Sequence, residues 1–212
     1  MRQYCGIWFP DDDGGLTRAL KARLDNEPVY HGDRLAEALR YVTWFRTAVE
    51  CGANVGMWTR ELARHFGKVV AIEPAPANCE CLKANTAELQ NVTLVECALG
   101  AEEGTCGLEM KKGHFSATVV RESVNQTIPM IPLDALRIEN CDYIKMHVNG
   151  YELETLQGAV ATLARCAPVL TVVLKPKLGR FGHGPGDVID WLAEKGYRMA
   201  GGQKPYRIFT PL

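Results

Sequence analysis

Val49-Glu50-Cys51-Gly52-Ala53-Asn54-Val55-Gly56-Met57-Trp58, VECGANVGMW, is the stretch on which the fold turns. An apolar run ends in a carboxylate and a cysteine, two glycines follow, and a helical pattern begins at Met57. This is a buried strand, a glycine turn and a helix start. Such a layout serves nucleotides, so a carboxylate placed just ahead of the glycines needs an explanation.

Downstream of Thr47 the same unit repeats. Strands are expected at 47–51, 68–72, 92–98, 142–148 and 168–174, with helices near 57–66, 76–89, 151–165 and 187–195 between them. Pro74 and Pro76 suit a first helical turn, where a missing N–H costs nothing. Alternating strands and helices predict an α/β fold, a mostly parallel Rossmann-like sheet with helices on both faces. Two short strands, 197–200 and 206–210, joined through Gly201-Gly202, predict an antiparallel end. Residues 101–131 interrupt the alternation and read as a hairpin or irregular excursion, with TIPMIPL as an edge segment. Upstream, Leu16, Leu20 and Leu24, then Leu35, Leu39 and Val42, recur at helical spacing. Residues 1–46 are therefore expected to be a helical cap or lid on a main domain of 47–212.

Composition narrows the classes. The 212 residues are 47% apolar, enough for one domain with a real core. Lys and Arg number 24 and Asp and Glu 25, a net charge of -1, which offers no field for gathering nucleic acid or anionic lipid. Apolar runs such as Pro168–Leu174 are too short for a bilayer, and MRQYCGIWFPDDD is not a secretory leader, so a cytoplasmic location is the expectation. Without a leader, the eight cysteines read as reduced thiols, with Cys51, Cys97 and Cys166 as small core residues. Cys79 and Cys81 would point about 200° apart on a helix, a poor arrangement for one metal.

Ligands of such sheets bind beyond the carboxyl ends of the strands. That directs attention to Glu50, Glu73, Cys97-Ala98, His147 and Leu174. Glu73 ends the second strand, where an acid can accept from ribose hydroxyls. Gly52-Ala53-Asn54-Val55-Gly56 lacks the spacing of a dinucleotide loop, and Glu50 would repel a pyrophosphate. The same carboxylate would attract S-adenosylmethionine, which carries an ammonium and a sulfonium beside its ribose. A nicotinamide dehydrogenase is disfavoured on these grounds.

The stretch VECGANVGMWTRELARHFGKVVAIEPAPANCECLKAN and the later DYIKMHVNGYELETLQGA resemble the two signatures of FkbM-type class I methyltransferases, within about Thr47 to Lys175. The resemblance implies a seven-stranded sheet whose last strand is antiparallel, S-adenosylmethionine as methyl donor, and mostly O-methylation. It also implies that the Gly52–Gly56 turn, with Ala53, passes under the methionine part. Asn54 reaches the cofactor carboxylate or simply tolerates a left-handed turn, Glu73 with Pro74 holds the ribose, and Cys97, Ala98 and Leu99 flank the adenine.

The second signature usually reads Lys-x-Asp-x-Glu-Gly-x-Glu; here it is Lys145, His147, Asn149, Gly150 and Glu152, and the next strand ends at Leu174 rather than near an acid. Three readings follow. His147 is a general base, its ordinary pKa being near 6.5; or alignment alone suffices; or the chain is a degenerate cofactor-binding or accessory module. Asn149 is expected to cap the following helix with Glu152 reaching back. Lys145 either meets a carboxylate across the sheet end or snorkels. A divalent metal is disfavoured because the donor set is poor in oxygen. KKGHFSAT (111–118) could wall an acceptor pocket, and LGRFGHGPG (178–186) could be a mobile entrance loop. Trp44, Trp58 and Trp191 read as packing residues. The reading reached is S-adenosylmethionine-dependent methyl transfer, expected at an oxygen of a small-molecule or sugar-like acceptor, with no nucleic acid and no membrane as partner.

Overall fold

The computed structural model describes residues 1–11, 18–27, 29–110, 117–120 and 127–212. In chain order it has β1 (Arg2–Tyr4), β2 (Ile7–Phe9), α1 (Arg18–Asn26) and α2 (Gly32–Leu39). Then come β3 (Thr47–Cys51), α3 (Met57–His65), β4 (Lys68–Ile72), α4 (Pro76–Thr86), β5 (Val92–Val95) and β6 (Ala98–Leu99). They are followed by β7 (Gly104–Met110), β8 (Ala117–Val120), β9 (Thr127–Ile131) and β10 (Cys141–Met146). The remainder is α5 (Glu152–Gln157), α6 (Val160–Cys166), β11 (Val169–Val173), α7 (Pro185–Glu194), β12 (Tyr197–Gly201) and β13 (Tyr206–Pro211).

Seven strands form the main sheet in the order β12-β13-β11-β10-β3-β4-β5. β13 runs antiparallel to both its neighbours, while β11, β10, β3, β4 and β5 pair parallel. After β5 the chain returns to the opposite side of β3, so the switch point lies between β3 and β10. The five residues of β3, TAVEC, and the six of β10, CDYIKM, are all buried, as strands covered on both faces must be.

Side chains alternate across such strands. Val49, Cys51, Ile144 and Met146 face a core built with Leu153, Leu156, Leu163, Val188 and Leu192. Ala48 and Tyr143 face the other core, with Trp58, Leu62 and the α2 residues Leu35 and Ala38. Glu50 and Lys145 share the parity of Ala48 and Tyr143 and so point toward α3, a placement that decides their chemistry below.

Several expectations need correction. The N-terminal stretch, expected to be helical, also contains the β1–β2 hairpin. The third strand divides into β5, in the main sheet, and β6, in a separate four-stranded sheet of order β6-β9-β7-β8. TIPMIPL supplies β9, an inner strand of that sheet, not an edge. The helix expected over 151–165 breaks into α5 and α6 at Gly158, where an added Cβ would lie 2.0 Å from the Gly100 carbonyl oxygen. Asp134 then starts α6 afresh, accepting from the Ala161 and Thr162 amides at 2.8 and 2.7 Å. Leu16 and residues 111–116 of the KKGHFSAT segment lie outside the described residues. Among the described residues no helix is long and apolar enough to cross a membrane. Cys79 and Cys81 are buried in different surroundings, the first donating to the Glu73 carbonyl and the second packed with Phe9 and Val55.

Candidate active site

The chain leaves β3 through a turn held in left-handed backbone, with φ of 78° at Gly52, 55° at Asn54 and 88° at Gly56. The Gly52 and Ala53 amides both donate to the Ile72 carbonyl, at 3.0 and 2.9 Å, which ties the turn to the end of β4. Glycine is required at the first position: a Cβ there would lie 2.2 Å from the His147 carbonyl oxygen. At Gly56 it would lie 2.4 Å from Leu82 Cδ1, a side-chain tip that can turn aside, and it is the φ of 88° that favours glycine there. Asn54 is the left-handed turn residue that its side-chain type favours.

Glu73 joins the turn to α4. Its Oε2 accepts from the Asn54 amide at 2.9 Å, and its Oε1 from the Ala75 amide at 3.1 Å and Asn78 Nδ2 at 3.0 Å. Burial raises its pKa, and these three donors oppose the rise. A carboxylate offers about four acceptor positions, so three protein donors leave Glu73 with room for one more.

Glu50 is 1% exposed. Its Oε1 accepts from Lys145 Nζ at 2.9 Å and its Oε2 from Thr59 Oγ1 at 2.6 Å. Lys145 stands directly opposite Glu50 in the β10–β3 register and also donates to the Gly52 carbonyl at 3.0 Å. Of the two readings of Lys145, contact across the sheet end is the one the structure has. Glu50 was expected to face a ligand's positive charge; inside the protein that charge is already matched by Lys145, because strand parity turns both toward α3.

These groups border one cavity of 340 Å³. Glu50, Gly52, Ala53, Asn54, Glu73 and Pro74 line it, with Cys97, Ala98 and Leu99 at one end and His147 toward the other. Of the residues singled out in the sequence, Gly56 stands behind the wall, and Leu174 is buried in the core. Burial pushes the Cys97 thiol up to about 11, so it lines the wall as a neutral group.

At the β10 end, His147 Nε2 is 2.9 Å from Lys175 Nζ. A protonated lysine can only donate, so Nε2 is the acceptor and the ring carries its hydrogen on Nδ1. Asn149 has a φ of 58° and lines the cavity; it is not the cap of α5, which starts after Tyr151. Glu152 does reach back, accepting from the Val148 amide at 3.2 Å and the Gly150 amide at 2.9 Å. Burial raises the Glu152 pKa to about 7, against the pull of those amides.

Tyr30, Lys175 and Tyr206 were missed as lining residues. Lys175 had a signal: β11 ends at Val173, so the strand-end position falls beyond Leu174. Tyr206 had one as well, since the first residue of an antiparallel strand beside β11 must lie at the carboxyl end of β11, and it pairs with Val173. Tyr30 sits on a loop between α1 and α2, and nothing in its surrounding sequence marks it. The LGRFGHGPG loop is partly ordered by its own contacts: Phe181 meets the Tyr151 ring edge-on at 4.9 Å, Arg180 pairs with Glu109, and His183 is 3.4 Å from Glu154.

A strand order with one antiparallel member, a glycine turn after the first parallel strand and an acid after the second define the class I methyltransferase fold. The model of the methyltransferase FkbM domain matches residues 50–199, and the chain belongs to that family. Among solved structures, the FkbM methyltransferase of Methylobacillus flagellatus KT is 19% identical with a TM-score of 0.54, over 78% of this chain and 43% of that one. This chain therefore spans less than half of that relative's length. Precorrin-6y C5,15-methyltransferase of Geobacter metallireducens GS-15 is 15% identical with a TM-score of 0.54, over 98% of each chain. Fibrillarin of Aeropyrum pernix, solved with natively bound S-adenosyl-L-methionine, is 12% identical with a TM-score of 0.53, over 84% of this chain and 74% of that one. At these identities the likeness is one of fold. No curated protein matches the chain.

Proposed function

We propose that the chain binds S-adenosyl-L-methionine in this cavity and transfers its methyl group to an oxygen of a small-molecule acceptor. The observation that carries the reading is Glu73: a buried carboxylate at the end of β4 that braces the glycine turn and retains acceptor capacity for a ribose hydroxyl. The cavity volume of 340 Å³ lies within the span of about 300–1,000 Å³ usual for small-molecule sites. Its donors and walls suit the parts of this donor: Glu73 and Pro74 for the ribose, Cys97, Ala98 and Leu99 for the adenine, Gly52, Ala53 and Asn54 with Glu50 for the methionine portion. When bound, the donor supplies an electrophilic methyl carbon on a sulfonium.

The rest is the work of this chain. Lys145 holds Glu50 and the Gly52 carbonyl together, which keeps the turn in its shape. His147, Lys175 and Tyr206 border the acceptor end, where alignment contributes most to methyl transfer. For His147 to take a proton from an acceptor, its contact with Lys175 must first open. Residues 1–46 serve as the cap of this end through Tyr30, which lines the cavity and whose carbonyl accepts from Trp58 Nε1 at 2.7 Å.

Calorimetric titration of S-adenosylhomocysteine and S-adenosylmethionine, with NAD as control, tests the reading. Both sulfur ligands should bind and NAD should not. Glu73→Ala should weaken them by about 10- to 100-fold, the range for a hydrogen bond to a charged group. Absence of binding by either sulfur ligand would overturn the assignment.

A further inference from the structure

We infer that the acceptor is a carboxylate, bound by Lys175 and methylated on its own oxygen. This rests on the methyl-transfer reading above and narrows it to a substrate class. Both carboxylates that line the cavity are engaged by the protein, Glu50 by Lys145 and Thr59, Glu73 by Asn54, Ala75 and Asn78. Basic side chains gather at the β10–β11 end. Lys175 lines the cavity beside His147, and the Arg34 guanidinium lies 4.3 Å from the centre of the Tyr206 ring. An ammonium and a phenol are donors suited to an anionic oxygen acid.

Further basic side chains stand behind Tyr206. His31 packs on Tyr206 with ring centroids 5.4 Å apart. Burial, then Arg34 and Arg23, with Lys175 adding to them, push its imidazole down to about 3, against the opposing pull of Asp33. Tyr30, Trp58 and Tyr206 give this end flat apolar walls, which fits an acceptor with an apolar body.

The chemistry then closes without a base. The carboxylate oxygen forms the new O–C bond as the methyl C–S bond breaks, and that electron pair stays on sulfur. The sulfonium becomes a neutral thioether and the carboxylate a neutral methyl ester. No proton moves, which agrees with a His147 whose Nε2 already accepts from Lys175. Lys175 is thus the acceptor-binding residue, and His147 the residue that positions it.

The test uses the full chain saturated with S-adenosylhomocysteine. Benzoate, cinnamate and hexanoate are titrated in by calorimetry, each beside its primary amide. At least one carboxylate should bind and its amide should not. Lys175→Met should weaken that carboxylate by about tenfold or more, Lys175→Arg should restore most of it, and both should keep the S-adenosylhomocysteine affinity of the parent. With labelled donor, the transferred methyl should be released as methanol by mild alkali, as an ester's is and an ether's is not. Failure of every carboxylate to bind while S-adenosylhomocysteine binds normally would overturn the inference, as would equal binding of acid and amide or indifference to Lys175→Met. Loss of S-adenosylhomocysteine binding in the parent chain would instead defeat the methyl-transfer reading, and this inference would fall with it.

Discussion

Glu152 shows how one side chain can link loop geometry to solution conditions. It is 1% exposed, and its two oxygens hold the amides of Val148 and Gly150, so it shapes the loop that carries His147 and Asn149. Its pKa rises from 4.5 to about 7 because burial disfavours the charge. In the unfolded chain the carboxyl ionises first, so the native state binds the extra proton between the two values. The stabilisation is complete below pH ~4.5, declines as pH rises toward ~7, and is gone above it; the total is about 3 kcal/mol. Urea unfolding at pH 5 and pH 7.5 should show this decline, and Glu152→Gln should flatten it. An unchanged slope in the variant would assign the pH dependence to other groups.

The glycine turn between β3 and α3 is the element that converts sheet geometry into a site. Its amides bind the β4 carbonyl, its Asn54 amide binds Glu73, and its Gly52 carbonyl binds Lys145. Gly52→Ala would add a left-handed backbone penalty to a collision with the His147 carbonyl, an atom on rigid backbone that cannot swing aside. A destabilisation of about 2–4 kcal/mol is expected. The ligand affinity should fall with it, because the turn and the His147 segment can no longer approach. Thermal unfolding with and without S-adenosylhomocysteine checks both; an unperturbed midpoint would mean that the two segments can separate freely. This element was legible in the sequence because glycine spacing reports backbone conformation directly. The pairing inside it was not. Glu50 does line the cavity, but strand parity sets Lys145 opposite it and Thr59 beside it, a relation between two strands nearly a hundred positions apart.

Across the whole molecule, the sheet order and the strand ends were legible because each parallel strand carries a continuous apolar run and each turn its glycine or proline. The excursion was not: β6 to β9 form a second sheet whose pairings join positions with no shared periodicity. The role of residues 1–46 was half legible. Helical spacing marked α2, but nothing marked that Leu35, Ala38 and Val42 would enter one core with Ala48, Trp58, Leu62 and Ile208. Each buried aliphatic side chain of this kind contributes about 1.5–3 kcal/mol. A chain of residues 47–212 alone should therefore lose cooperative unfolding and its near-ultraviolet circular dichroism. A truncated chain that melts cooperatively at the full-length midpoint would show the cap to be separable.

The position of β13 sets the order in which this protein can be completed on the ribosome. β12 is synthesised first, yet its place in the sheet is against β13, which itself must first dock on β11. Until β13 has emerged from the exit tunnel, β12 is a strand with no partner, and it carries Met199, which stays half exposed even in the finished sheet. Chains truncated between Gly201 and Tyr206 and released from the ribosome should therefore be the forms most in need of a chaperone. The same strand delivers Tyr206 to the cavity, so a chain that stops before β13 lacks part of the cavity wall.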